Sequence, residues 1–426
     1  MRGRVTTKQD TGSAGGSAGG SAGGRQTEHR RRGPRARTVL AALLLAAVGG
    51  TAAASPASAA LGPGVTQRVL VSTPTAFASK TDYSIHEAIV KMVDETPPGA
   101  TITHAVWNIT YTRYADALIR AHKRGVIVKV AQNGDKTSAE MDRVRAVLGP
   151  SRWHICRTTT AAGVVKGCLS TRVGSYMHAK ALTFSKTGTK TSVVVDGSTN
   201  MTFHGNENNN MVVTAGDPVL YNAYRDWFSD LFAMRKNDNY LKSPHGTRSA
   251  PASSATVYFS PQASSTGGTN NEAATDIMAL TLKRLTPSAG CSVKFMERYV
   301  DNRPQVIAEL VRAKRGGCLV RVISDTITQA HIDTLLAAHI PVRRTVRATS
   351  FGFSTKIHHK TMVIEGTIDG VAGRRMVTAG SMNVTWSSHR LADESFLVLR
   401  HGPTVDAIET TFDRVDATSY PYPGSA

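Results

Sequence analysis

The chain has 426 residues, of which 41% are hydrophobic, 6% are aromatic and 4 are cysteine, and its formal net charge is +20. This composition excludes a collagen-like chain and a short scaffold held together by disulfides, and it is typical of a globular protein. At roughly 150 residues a domain, the length predicts two or three domains, each large enough to bury its own core.

The first 59 residues have the organisation of an export signal. A Gly/Ser/Ala-rich run at 11–24 precedes an arginine cluster at 30–37, and an apolar stretch follows at 38–48. The small residues at 57–59 then match a cleavage site. The apolar stretch is shorter than the about 20 residues that a membrane span requires, so a cleaved signal peptide is favoured over an uncleaved anchor. The arginine cluster leaves both general secretory and twin-arginine export open.

Removing residues 1–59 takes away 9 basic and 2 acidic residues, which leaves 42 basic and 29 acidic residues, an excess of 13 positive charges. Such an excess favours anionic partners, including phospholipid surfaces, nucleic acids and other phosphate-bearing substrates, without choosing among them. No later segment approaches the length of a membrane span. We therefore expect a secreted mature chain without a transmembrane segment.

The cysteines fit an oxidising compartment, because Cys156 and Cys168 are close in sequence and Cys291 and Cys318 lie together in the other half. Four cysteines allow three pairings, and we favour one local disulfide in each half. A metal site built from four thiolates is disfavoured because the sequence has no CxxC spacing among them.

After the signal, the sequence contains a duplication with a period of about 190 residues, far above the range of solenoid repeats. In the clearest pair, 118–130 resembles 310–322: an amphipathic helix ends in basic residues and a glycine suited to a left-handed C-cap, and an apolar strand starts at once. The other matched segments are strands at 68–74 and 256–261, and helix-period segments at 84–95 and 271–285.

Strands that alternate with helices of this length predict α/β layers around a largely buried sheet. We expect two similar α/β/α sandwich domains with mixed sheets at 60–242 and 255–426, joined by a Ser/Pro/Gly/Ala-rich linker at 243–254. The domains either lie side by side or face each other across a pseudo-two-fold axis. The second arrangement would bring equivalent residues of both copies into one active-site cleft.

Each copy carries an H-x-K triplet before a strand and a G-S-x-N segment about 20 residues later. The residues are His178, Lys180, Ser198 and Asn200 in the first copy, and His358, Lys360, Ser381 and Asn383 in the second. Side chains two apart in a strand point to the same face, so each histidine and lysine can converge on one ligand. The lysine, asparagine and serine groups suit phosphodiester oxygens, and two histidines can divide the roles of nucleophile and proton donor. No metal or cofactor is then required.

These paired segments resemble the two HKD motifs of the phospholipase D superfamily, and the order of strands and helices fits that fold over nearly the whole mature chain. The resemblance implies a two-step mechanism in which one of His178 and His358 forms a phosphohistidine. The other histidine protonates the leaving alcohol and later activates water or an acceptor alcohol. Analogy with related enzymes favours His178 as the nucleophile. The groups that would hold the phosphoryl oxygens are Lys180, Lys360, Asn200 and Asn383.

The sequence departs from the family pattern at its acidic positions. The aspartate expected five residues after each lysine is replaced by Ser185 and Glu365, which we expect to change local support more than the chemistry. The family also has an acidic residue downstream of G-S-x-N that orients a catalytic histidine through its second ring nitrogen. Glu394 suits this role in the second copy, and Glu207 or Asn209 in the first.

The leading hypothesis is a secreted phospholipase D that hydrolyses phosphatidylcholine-type lipids to phosphatidate and a free head group, with transphosphatidylation through the same intermediate. Such an enzyme touches membrane surfaces transiently, and apolar candidates for its cleft rim lie at 161–165 and 351–353. One alternative is a secreted nuclease or other phosphodiesterase, which should have a basic track such as Arg343, Arg344 and Arg347. Another is an inactive phosphate- or membrane-binding relative, against which the intact histidine, lysine and asparagine sets argue.

Overall fold

The structure, a computed structural model, describes residues 59–74, 81–267, 270–345 and 355–422. The predicted signal peptide lies outside the described residues apart from Ala59, and so do Arg347 and the apolar candidate at 351–353. No helix in the described part of the chain is long and apolar enough to cross a bilayer.

The first half begins with a strand and ends with a long helix. Its elements are β1 (Thr66–Val71), α1 (Ser84–Asp94), β2 (Thr101–Val106), α2 (Thr112–Lys123), β3 (Ile127–Asn133), α3 (Ala139–Leu148), β4 (Trp153–Cys156), β5 (Thr158–Thr160), β6 (Gly163–Val165), β7 (Lys180–Thr187), β8 (Lys190–Gly197), β9 (Glu207–Asn208), β10 (Asn210–Ala215) and α4 (Pro218–Phe232). The main sheet has the order β1-β10-β8-β7-β2-β3-β4, with β2, β3 and β4 parallel and the other neighbours antiparallel.

The second half repeats this plan. Its elements are β11 (Thr247–Ala250), β12 (Ala255–Phe259), α5 (Ile277–Lys283), β13 (Leu285–Thr286), β14 (Ser292–Asp301), α6 (Pro304–Arg315), β15 (Leu319–Ile327), α7 (Gln329–Ala337), β16 (Val342–Arg344), β17 (Lys356–Ile357), β18 (Lys360–Ile368), β19 (Val371–Gly380), β20 (Val384–Thr385), α8 (Trp386–Arg390), β21 (Ser395–Leu399), α9 (Gly402–Thr418) and β22 (Tyr420–Pro421). The sheet order is β11-β12-β21-β19-β18-β14-β15-β16-β22.

The strand orders confirm the duplication, because β12-β21-β19-β18-β14-β15-β16 follows the same path as the first sheet. The predicted C-cap glycines also recur: Gly125 and Gly317 have φ values of 94° and 99°, which L side chains rarely adopt. The segment 243–254, predicted as a linker, joins the halves and also contributes β11, which pairs with β12 at the edge of the second sheet.

One predicted helix is shorter than expected. The helical period at 271–285 predicted a single helix, but α5 begins only at Ile277. The Asp276 side chain accepts hydrogen bonds from the backbone N–H groups of Met278 and Ala279, which makes it the N-cap. The residues before it form only a short 3₁₀ turn, Ala273–Thr275.

Each sheet has helices on both faces, which confirms the predicted α/β/α layers. In the first half α1, α2 and α3 pack on one face, and in the second half α5, α6 and α7 do so. On the other faces, apolar residues of α4 and α9 join residues of both sheets in one shared core. A continuous apolar core between the halves holds them as one body, because burying such area is the main favourable contribution to folding.

Both predicted disulfides are present. Cys156 is bonded to Cys168, and Cys291 to Cys318, so the described residues contain no free cysteine. The first disulfide lies beside the loop that leads to the first H-x-K triplet. The second disulfide joins the start of β14 to the turn before β15. It is remote from Glu297, the β14 residue that pairs with Lys360 of the second triplet.

Candidate active site

The two H-x-K triplets meet at the seam between the halves. The backbone N–H groups of His178 and Ala179 donate to the carbonyl of Asp393, at 3.0 and 3.1 Å, and that of His358 donates to the carbonyl of Asn208 at 2.9 Å. Met177 pairs with Asp393, and Ile357 with Asn208. Because each half gives the other the same contact, the halves are related by a pseudo-two-fold axis.

His178 is oriented by a carboxylate from the other half. Its Nδ1 lies 2.9 Å from Oε1 and 3.0 Å from Oε2 of Glu394, whose side chain is fully buried. A carboxylate only accepts hydrogen bonds, so Nδ1 carries the hydrogen and Nε2 is the nitrogen left for chemistry. Burial lowers the pKa of His178 to about 4, although Glu394 opposes that shift. The ring is therefore neutral near pH 7.

His358 is oriented by an amide, again from the other half. Its Nδ1 lies 2.9 Å from Oδ1 of Asn209, and Oε2 of Glu207 is 3.8 Å away. Of the two residues that the sequence offered, Asn209 therefore makes the hydrogen bond and Glu207 is a more distant charge. Burial lowers the pKa of His358 well below its usual value, and the nearby Lys360 and Lys180 add to this effect.

The two lysines are buried and curl back toward their own histidines. Lys180 and Lys360 expose 1% and 2% of their surface, and each Nζ donates to the backbone carbonyl of the histidine two residues earlier. Burial lowers the pKa of Lys180 to about 7 and that of Lys360 to about 8. Burial disfavours the charged form of both lysines, and a bound anion would favour that form again. The pair therefore suits an anionic ligand.

Asn200 and Asn383 each follow the second strand of their motif, β8 and β19. The Oδ1 atoms of both side chains are buried, and neither has a hydrogen-bond partner among the described residues. The loop of Asn200 is fixed from outside, since Nε2 of His86 lies 3.0 Å from the Asn200 carbonyl. These two buried oxygens are acceptors that remain available to a donor outside the described contacts.

The hydroxyl groups of Ser198 and Ser381 form hydrogen bonds within the protein. Both are fully buried. Ser198 Oγ accepts from the Asn210 N–H at 3.0 Å and donates to Oδ1 of Asn209 at 2.9 Å. Ser381 Oγ accepts from the Ser395 N–H at 3.1 Å. Each serine thus fixes the start of the strand that follows an orienting residue, which corrects the expectation that these hydroxyls bind phosphoryl oxygens.

The two residues that replace the family's aspartate lie away from the reaction centre. Ser185 Oγ accepts from the Thr101 N–H at 2.9 Å at the start of β2. Glu365 forms an ion pair with Arg375 and accepts from Ser292 Oγ at 3.0 Å at the start of β14. Both residues make their contacts within the sheet, and neither forms a hydrogen bond or ion pair with a catalytic histidine.

The flanks of the two histidines differ, and the sequence analysis missed this. The rings of Trp107 and Tyr176 lie 5.1 and 5.7 Å from that of His178, in edge-on orientations. By strand register, the position of Trp107 corresponds to Arg298 in the second half, whose guanidinium is 3.3 Å from Asp325. Only the strand register relates these two positions: Trp107 follows Val106, which pairs with Lys180, and Arg298 follows Glu297, which pairs with Lys360.

Glu297 is a second missed residue. It is fully buried opposite Lys360, and its two carboxylate oxygens have no hydrogen-bond partner among the described residues. Burial raises the pKa of this carboxyl well above its usual value. Its counterpart opposite Lys180 is Val106, so the extra carboxyl belongs to one half only.

Comparison with known families supports the same interpretation. A family model described as the cardiolipin synthase, PLD-like domain matches residues 98–232 and again 282–415. These two matches cover more than half of the chain, one in each half. The chain belongs to the phospholipase D-like family. It is accordingly a phosphodiesterase-type enzyme, and the predicted family resemblance is confirmed.

Solved structures share the fold. The crystal structure of phosphatidylserine synthase from Haemophilus influenzae Rd KW20 matches 84% of this chain and 87% of that one, at 9% sequence identity and a TM-score of 0.57. Polyphosphate kinase from Porphyromonas gingivalis matches 82% of this chain and 50% of that one, at 14% identity and a TM-score of 0.51. At such identities these similarities show the fold alone. No curated relative matches the sequence.

Proposed function

We propose that the protein is an exported phospholipase D that hydrolyses phosphatidylcholine-type lipids to phosphatidate and a free head group, with transfer to acceptor alcohols through the same intermediate. The observation that carries the proposal is the reciprocal seam, where two histidines with free Nε2 atoms share one buried pair of lysines. A phosphodiester placed there meets a nucleophile, a proton donor and two cations.

The first step forms a bond between Nε2 of His178 and phosphorus and breaks the bond from phosphorus to the head-group oxygen. That oxygen leaves with a proton from Nε2 of His358. In the second step water attacks phosphorus, His358 takes a proton from it, and the phosphorus–nitrogen bond breaks to release phosphatidate and free His178. An alcohol in place of water gives transfer.

The different orienting groups support this assignment of roles. Attack by the neutral ring leaves a positive charge on the phosphohistidine, and the Glu394 carboxylate at 2.9 Å from Nδ1 offsets that charge. The amide of Asn209 stabilises a protonated His358 less, which makes that ring the better proton donor. The negative charge of a bound diester favours protonation of His358, so the donor is loaded as the substrate binds.

The surroundings of the predicted basic track favour a lipid over a nucleic acid. Arg343 lies 3.1 Å from Asp416, and Arg344 stacks on Tyr422 at 4.9 Å, so both cations already have partners. The apolar candidate at 161–165 forms the tip of the β5–β6 hairpin, with Ala161 and Ala162 exposed.

The deciding experiment measures choline release from phosphatidylcholine vesicles by the mature chain in EDTA, with DNA degradation assayed in parallel. His178→Ala is the control, and we expect it to release no choline while keeping the folded circular dichroism spectrum. DNA cleavage without choline release would move the assignment to a nuclease. Silence in both assays would overturn the phospholipase D proposal.

Export has its own test, since the signal is a sequence prediction. Expression of the full chain in a secreting host should yield protein in the medium that begins at Ala60. Recovery of the intact chain inside the cells, with its first 59 residues attached, would overturn this part of the proposal.

A further inference from the structure

An aromatic cluster lies beside the loop of Asn200: the rings of Tyr83 and Tyr111 lie 5.4 and 5.0 Å from that of His86, whose Nε2 is 3.0 Å from the Asn200 carbonyl. We call Tyr83, Tyr111 and Phe203 the aromatic edge. The rings of Tyr83 and Tyr111 are stacked at 5.1 Å, and Phe203 lies edge-on to both, 5.1 Å from Tyr111 and 6.0 Å from Tyr83. The three rings of the aromatic edge thus pack against one another as one cluster.

Phe203 is the member of the aromatic edge that faces solvent. It is 55% exposed, although it follows Asn200 by only three residues. Its backbone N–H donates to Thr110 Oγ1 at 3.0 Å, and the Tyr111 N–H holds the same loop through the Met201 carbonyl. A lone exposed apolar side chain is ordinary on protein surfaces. The Phe203 ring differs because two other aromatic rings hold it in a defined position close to Asn200, from which it can insert into a bilayer.

In the described part of the second half, the position equivalent to Phe203 does not carry a fully exposed ring. Trp386 follows Asn383 by the same three residues, but it begins α8 and is half-buried. On the first half's side, Nζ of Lys136 also lies 4.9 Å from the Trp107 ring. An exposed ring held on an aromatic stack and, in the same half, a lysine over the Trp107 ring suit the boundary layer of a bilayer, where rings bury next to phosphates.

We propose that Phe203, supported by Tyr111 and Tyr83, inserts into the boundary layer of a phospholipid bilayer and seats the first half's side of the cleft on it. The inference rests on the proposed function, because only a lipid substrate requires the cleft to reach a phosphodiester within a bilayer. Lys136 lies on the same side and faces the lipid phosphates.

The test compares Phe203→Ser with Leu319→Ser, a matched control. Leu319 is also 55% exposed, but it starts β15 at the far end of the strand from the seam. Both changes are made in the His178→Ala background, so that vesicles stay intact while binding is measured by sedimentation with phosphatidylcholine vesicles. We expect Phe203→Ser to weaken partitioning about tenfold and Leu319→Ser to leave it unchanged.

A second readout separates anchoring from a role inside the cleft. With wild-type His178, Phe203→Ser should slow hydrolysis of vesicles about tenfold but not that of a short-chain phosphatidylcholine dispersed as monomers. Phe203→Trp should restore binding, with an indole emission that shifts to shorter wavelength on vesicles. Thermal unfolding of each variant checks that the fold is kept.

Three outcomes would overturn the anchor: unchanged vesicle binding by Phe203→Ser, equal losses in Phe203→Ser and Leu319→Ser, or equal slowing on vesicles and monomers. A loss of single-stranded DNA binding in place of vesicle binding would also overturn it and would identify a base-stacking platform. If Phe203 governs vesicle binding but the wild-type protein cleaves no phospholipid, the anchor stands and the proposed function fails.

Discussion

The two halves have the same strand order but differ in the surroundings of their catalytic histidines. The strand order is the same in both sheets, and each half supports the other's histidine through the same backbone contact. Yet His178 has a carboxylate at its Nδ1 and aromatic rings around it, whereas His358 has an amide and charged neighbours. The two copies therefore share their strand order and backbone contacts but differ in the side chains that surround each histidine.

Removing either histidine gives the largest expected effect and tests whether their roles differ. His178→Ala should lower kcat by more than about 10⁴-fold on any phosphodiester, because no nucleophile remains. His358→Ala should lower the rate constant of the first step by about 10²- to 10⁴-fold on a lipid but far less on a 4-nitrophenyl diester, whose leaving group needs no proton. The second step lacks its base on either substrate, so the burst of 4-nitrophenol is the quantity compared. Rapid-quench assays with both substrates measure this. Equal losses for both variants on the activated diester would contradict distinct roles.

The orienting residues give the next largest effect. Glu394→Gln should lower kcat about 10- to 100-fold, because the phosphohistidine loses the charge that offsets it. Asn209→Asp should cost less than about tenfold, since it retains an acceptor for Nδ1 of His358. Trapping of phosphorylated protein in acid-free quench conditions reports the intermediate directly. A larger loss in Asn209→Asp than in Glu394→Gln would reverse the assigned roles.

The pH profile tests the lysines of the two halves. Lys180 and Lys360 are charged below their pKa values of about 7 and about 8, and His178 is neutral above its pKa of about 4. The value of kcat/KM, which reports the free enzyme, should therefore fall as the pH rises through about 7 and then about 8, because Lys180 and then Lys360 lose their charge. Lys180→Arg, which cannot lose its charge, should move the alkaline fall to higher pH in whatever activity it retains. An unchanged alkaline fall would contradict the assignment.

The disulfides give the smallest effect on catalysis and separate stability from chemistry. The backbone N–H of Leu169, next to Cys168, donates to Oδ1 of Asp393 at 3.1 Å, and Asp393 precedes Glu394. Replacing Cys156 and Cys168 by alanine should therefore lower kcat severalfold, whereas the same change at Cys291 and Cys318 should leave kcat unchanged.

Denaturant unfolding supplies the control for this pair of variants. Loops of 12 and 27 residues predict stability losses of roughly 3 and roughly 3.5 kcal/mol, so both variants should be destabilised to a similar degree. A fall in kcat that follows stability in both variants would contradict a specific link between the first disulfide and the site.

Much of the fold and both H-x-K motifs could be predicted from the sequence, because the patterns that indicate them are local. The period of the strands, the glycines after the helices and the repeated H-x-K and G-S-x-N segments each depend on a few neighbouring residues. The family resemblance named Glu394 and Asn209 as candidates, but which histidine each one orients could not be predicted in the same way. Glu394 and Asn209 find their histidines only through the pairing of Asp393 and Asn208 with the opposite triplets, which is a property of the packed seam.

The aromatic and charged flanks show a related limit. Trp107 and Arg298 occupy one register position in two copies that otherwise look alike, and no pattern in the sequence marks either as part of a site. The serines show the reverse: their chemistry suggested phosphate binding, but burial against β10 and β21 turned the hydroxyls to the backbone. Packing decides which polar groups meet a substrate.

Because each half supplies the residue that orients the other half's histidine, activity depends on the folding of both halves. A first half that has folded alone holds His178 without its carboxylate, and a second half alone holds His358 without its amide. Neither can complete the reaction, so a partly folded chain carries no working phosphodiesterase. The enzyme therefore becomes active only after both halves have folded and packed against each other.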